Sequence, residues 1–117
     1  MRMAGVLGCA ALLGLGACAG VRSSEPTPLT MPPADGRDAK VTVDSWTYVI
    51  NRQARGTPPK VDLRVTRFEG RDLDYSDGRI AKRAAETYCA GFNRSLDPSA
   101  LGRFSVPNSW VFKGDCL

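Results

Sequence analysis

Histidine is absent from all 117 residues. A Ser-His or Cys-His pair cannot be assembled from this chain, and no zinc site with a histidine ligand can form. Aromatic residues make up only 8% and apolar residues 43%, enough for one small core and too little for two. Long apolar runs are missing as well. The longest, Val6 to Leu15, is interrupted by Gly8 and Gly14 and falls short of the roughly 20 residues that a membrane span requires. Gly-x-Ser-x-Gly, phosphate-cradling glycine loops, Cys-x-x-Cys and metal-ligand spacings do not occur. The chain is therefore expected to be no enzyme, and to need neither cofactor nor metal.

What is present begins with a sorting signal. Residues 1–17 have a positive start at Arg2, the apolar run, and small residues ahead of a cleavage point, the three parts of an export signal. Leu15-Gly16-Ala17-Cys18 resembles the lipobox of bacterial lipoproteins. In that family the cysteine sulfur takes a diacylglyceryl group and cleavage leaves the cysteine first, its amine open to a further acyl chain such as palmitate. The resemblance implies lipidation at Cys18 and a protein held on a membrane without spanning it. Two or three acyl chains anchor firmly where one holds only reversibly. Ala19 stands where an aspartate would favour the inner membrane, so the implied location is the outer membrane, facing the periplasm.

Residues 18–39 carry Pro26, Pro28, Pro32 and Pro33 with no aromatic residue and no apolar period. Such a stretch is expected to stay unfolded as a tether, and in polyproline II form it would reach up to roughly 60 Å. Residues 40–117 are then the folded domain.

Within that domain Val41 to Ile50 alternates with β-branched and aromatic residues and reads as one strand. Lys60 to Phe68 reads as a second, joined to the first by a long loop over Asn51 to Pro59. Val61, Leu63 and Val65 oppose Asp62, Arg64 and Thr66, so one face of the sheet should meet water. From Arg79 to Phe92 the apolar residues Ile80, Ala81, Ala84, Ala85, Tyr88 and Cys89 recur at helical offsets. Ser76 or Asp77 is the expected cap, and Gly91 the expected left-handed exit. Phe104 to Val106 and Ser109 to Lys113 read as short strands, with Trp110 and Phe112 sharing a face. The expected fold is α+β: a small antiparallel sheet with one packed helix. In an exported chain Cys89 and Cys116 are expected to pair, stapling the helix to the C-terminal strand. A helical cysteine followed by a terminal Trp-Val-Phe-Lys-Gly-Asp-Cys is similar to the pattern of small envelope lipoproteins of Gram-negative bacteria, a likeness that implies no activity.

Two charged features are candidates for function. Asp72, Asp74 and Asp77 do not match a calcium loop, whose sixth and twelfth places want Gly and Glu; here they hold Asp77 and Arg83. They read as a turn and a helix cap. Arg52, Arg55, Arg64 and Arg67 crowd a short stretch and could form a positive stripe for an anionic envelope ligand: a lipid headgroup, lipopolysaccharide or a peptidoglycan peptide. Removing residues 1–17 takes away Arg2 alone, leaving 15 basic against 12 acidic residues, a weak overall bias. Nucleic acid is not an expected partner, because no stacking motif interleaves with the arginines. The two expected roles are thus an envelope lipoprotein whose domain meets a protein partner, or a module that binds an anionic ligand.

Overall fold

Alternating apolar and polar residues in a chain this short can bury only one face of a sheet, and a single amphipathic helix is enough to cover it. A computed structural model describes residues 30–117 and has this arrangement. The elements are β1 (Asp35–Val43), β2 (Trp46–Arg55), β3 (Lys60–Arg67), a 3-10 turn (Tyr75–Asp77), α1 (Gly78–Ala90), β4 (Leu101–Ser105) and β5 (Ser109–Lys113). The five strands form one antiparallel sheet in the order β1-β2-β3-β5-β4. The export signal, the lipobox ending at Cys18 and the tether up to residue 29 lie outside the described residues. Among those described, no helix is long and apolar enough to cross a membrane.

The run Val41 to Ile50 is not one strand but the two arms of a hairpin. Asp44 and Ser45 both take positive φ, 51° and 73°, as a tight two-residue turn between right-twisted strands requires. Val43 therefore pairs with Trp46 and Val41 with Tyr48, and the parity of the inward residues flips across the turn. The first strand starts at Asp35, inside the span read as tether, and Met31 already packs against the core. Between β2 and β3 the loop is shorter than expected, Gly56 to Pro59, because β2 continues to Arg55.

Tyr48, Ile50, Leu63, Val65 and Phe112 point to one side of the sheet and meet Ala81, Ala84, Ala85, Tyr88 and Cys89 of α1, all buried. The alanines let the helix lie close. Gly78, at its start, has no Cβ because one there would stand 2.8 Å from the Trp110 ring. Asp77 is the N-cap of α1, as expected, but its side chain makes no cap bond to that helix; the side-chain bonds cap the 3-10 turn before it. Asp74 Oδ1 accepts from the Ser76 amide at 2.9 Å, and Asp77 Oδ2 accepts from the Asp74 amide at 2.8 Å, a capping box. At the other end Gly91 is plainly helical, φ −62°, and Asn93 takes the left-handed position at φ 58°. Arg94 N bonds Cys89 O at 3.1 Å and Asn93 N bonds Ala90 O at 3.0 Å, the paired bonds of a Schellman exit.

Cys89 and Cys116 form the expected disulfide, with Cα atoms 5.2 Å apart. Leu96 bridges Cys116, and reciprocal backbone bonds join Ser95 to Leu117. The chain end is thereby fastened beneath the helix.

Candidate functional site

Strand alternation divides the four arginines of the expected stripe. Arg52 and Arg67 share the helix side with Ile50 and Val65, whereas Arg55 and Arg64 share the opposite, open side. The structure does not bring the four together.

The two on the helix side are committed to structure. Arg52 Nε and Nη2 bond the two oxygens of Asp115 at 2.8 and 2.7 Å, and its third nitrogen, Nη1, donates to Pro32 O. Its side chain is 11% exposed. The Asp115 carboxyl is pushed up by burial, yet the Arg52 hydrogen bond, the Cys116 amide and the charges of Arg52 and Arg94 outweigh this and hold it below the usual carboxylate range. The Arg67 guanidinium lies over the Trp46 ring at 4.5 Å and faces Tyr48 at 5.5 Å, a cation–π arrangement.

On the open face the registers place further basic residues beside Arg55 and Arg64. Arg64 pairs with Val111, Val111 pairs in turn with Arg103, and Leu101 pairs with Lys113. Arg55, Arg64, Arg103 and Lys113 line one cavity of about 240 Å³ together with Asp62, Val111 and Ser105. Asp62 is its acidic member. It accepts from Arg55 Nε at 2.8 Å and lies 3.9 Å from Lys113 Nζ. Among the described residues Arg64 and Arg103 have no ion pair and no side-chain hydrogen bond.

Arg103 and Lys113 were not among the expected site residues. Lys113 has the parity opposite to Trp110 and Phe112, which was sufficient to put it on the open face. Arg103 precedes the point at which a strand was expected to begin, so no alternation marked it. β4 in fact starts at Leu101, and Gly102 is part of the reason it is hard to see. A Cβ on Gly102 would stand 2.4 Å from Phe112 Cε1, so this position excludes the β-branched residues that announce a strand.

A second cavity, about 600 Å³, adjoins the first and shares Arg55, Asp62 and Lys113 with it. It continues over Val61, Gly114 and Leu117, and Asp97 and Asp115 also line it.

The aspartate cluster behaves as a turn and cap. Arg71 Nη1 bonds Asp74 at 3.0 Å and Asp77 at 3.1 Å, so these carboxylates are occupied by a guanidinium and by backbone amides. Hydrogen bonds from Ser76 hold Asp74 below its ordinary range.

No protein-family model, curated protein or solved structure matches this chain significantly.

Proposed function

We propose that this protein is a lipid-anchored envelope protein whose non-catalytic domain holds an anionic ligand on the open face of its sheet. The observation that carries the binding half is the pair Arg64 and Arg103, which among the described residues stand on that face without an acidic partner, while Asp62 is already matched by Arg55 and Lys113. A guanidinium left without a counter-ion on a sheet face is available to a carboxylate or phosphate. The anchoring half rests on the likeness of Leu15-Gly16-Ala17-Cys18 to a lipobox. The Cys89–Cys116 disulfide supports export, since such bonds persist in oxidising compartments.

Two measurements test the two halves separately. Intact mass of the chain from a membrane fraction should begin at Cys18 with added acyl chains, and Cys18→Ser should move the protein to the soluble fraction. An unacylated mass cut elsewhere would remove the anchor. Co-sedimentation with lipopolysaccharide and with peptidoglycan should weaken with salt and be lost in Arg64→Glu/Arg103→Glu. If reversal left the association unchanged, the open face would not be the site.

One observation favours a protein partner instead. Edge strand β4 exposes Leu101 at 78%, and Val106 just beyond it is 80% exposed. A partner strand added there would survive charge reversal on the open face.

A further inference from the structure

Arg64 and Arg103 occupy one cross-strand row of the open face with Val111 between them. Neighbouring strands are about 4.8 Å apart, so the two arginine roots are about 10 Å apart. Arginine stems are long enough to bring both guanidinium groups over the buried Val111, and the two side chains do line the same cavity. Ser105 adds a hydroxyl to the same wall.

Charge selects the ligand. Asp62 is shared by Arg55 and Lys113, so among the described residues the uncompensated charge at the centre of the face is that of two guanidinium groups. A carboxylate has two oxygens and is satisfied by one arginine fork. A phosphomonoester is dianionic near neutral pH and offers three terminal oxygens, so it can accept from both forks at once. The cavity of about 240 Å³ is smaller than the roughly 300–1,000 Å³ that takes a whole drug-sized ligand, and suits a headgroup rather than an entire molecule. The adjoining cavity of about 600 Å³ has room for the rest, and Asp97 and the Arg52-paired Asp115, which both line it, disfavour a second anion there and so set which end lies where.

We infer that the open face binds a phosphomonoester, its phosphoryl group held between Arg64 and Arg103 and the remainder passing Lys113 into the adjoining cavity. This rests on the anion-binding reading of the open face. The phosphoryl group can belong to a soluble molecule or to a membrane lipid, and the test separates the two.

Amide NMR spectra of the full chain would be recorded against inorganic phosphate and glycerol 3-phosphate, with succinate at matched ionic strength. Sedimentation with phosphatidylcholine vesicles would be measured with and without phosphatidate. Saturating shifts at Arg64, Arg103, Ser105 and Val111 with the phosphates support the inference and point to a soluble source. Association with phosphatidate vesicles alone supports it with a lipid source. Either effect should weaken at least about tenfold in Arg64→Gln/Arg103→Gln, given the strength of charge-assisted bonds. Arg103→Gln alone, on an exposed edge position, keeps the test decisive where the double variant folds poorly. An unchanged response in both variants overturns the inference. Shifts with succinate but not with phosphate overturn it while leaving an anion site, and no response to any anion removes both.

Discussion

Arg52 and Asp115 are joined by two parallel hydrogen bonds, 2.8 and 2.7 Å long, across 63 residues of chain. One residue sits on β2 and the other just beyond β5, and the same guanidinium also holds Pro32 O. The pair thus fixes three remote segments at one corner of the domain. Removing either partner leaves a poorly solvated charge, so Asp115→Asn and Arg52→Ala should each lower stability by about 1.5–3 kcal/mol in urea unfolding. Arg52→Lys should not restore it, because an ammonium cannot form the parallel fork. Full recovery with lysine would show that charge alone matters there.

Acid should unfold this protein partly through the same residue. Asp115 is held below its ordinary range in the fold, whereas an unfolded aspartate titrates near about 3.9. A carboxylate depressed by folding contributes stability that is complete above its unfolded value and is lost as pH falls through the lower folded one. The urea midpoint is therefore expected to hold steady toward about pH 5 and decline below about pH 4, less steeply in Asp115→Asn. Asp74 and Asp97, both lowered by bonds from neighbouring serines, act in the same direction. A midpoint independent of pH in this window would contradict the assignment.

Reducing the disulfide should cost more than any of these changes. It closes a loop from Cys89 to Cys116, for which chain entropy gives about 3.6 kcal/mol. Cys89→Ala/Cys116→Ala should lower the thermal midpoint markedly, by a shift that dithiothreitol reproduces in the parent and does not enlarge in the variant.

Ser45 stands at φ 73° in the β1–β2 turn, a conformation that strains a residue with a Cβ. Ser45→Gly is expected to raise stability by about 0.5–1 kcal/mol, the relief exceeding the extra flexibility of the unfolded chain. A loss on substitution would mean that the turn is held by the hydroxyl rather than tolerated.

The opposite holds at Gly102, where a Cβ would meet Phe112 at 2.4 Å. Gly102→Ala should cost about 1–3 kcal/mol by overpacking. Paired with Phe112→Leu it should cost less than the sum of the single changes, which a double-mutant cycle reads directly.

The same positions explain how much could be read from residues alone. The helix, the open face and the cysteine pair were legible because each rests on a period or a pairing rule that local sequence carries: Ala81, Ala84, Ala85, Tyr88 and Cys89 at helical spacing, Asp62, Arg64 and Thr66 opposite Val61, Leu63 and Val65. The β1–β2 turn was not, because Asp44-Ser45 lacks the glycine that usually marks such hairpins, and a period of two runs through it unbroken. The first part of β1 escaped notice because Asp35, Gly36 and Asp38 are poor strand formers, and Asp35 and Asp38 gain their place from pairing with Gln53 and Asn51 of β2. At the candidate site Arg55 and Arg64 were legible, but Arg52 was not separable from them. Only the continuation of β2 to Arg55 turns neighbours in sequence into residues on opposite faces.

The Arg52 corner also decides how the domain would bear a mechanical load. Tension reaching it through the chain ahead of Thr30 arrives at the start of an edge strand, a geometry in which ladder bonds can be peeled one after another. Before β1 can begin to peel, the bond from Arg52 to Pro32 O and that from Ala54 N to Ala34 O must give way. Because Arg52 is gripped by Asp115, whose neighbour Cys116 is bonded covalently to α1, the pull is handed past the edge strand to the helix and the chain end. The corner works as a strain relief, like the clamp that keeps a tug on a cable from reaching its solder joints.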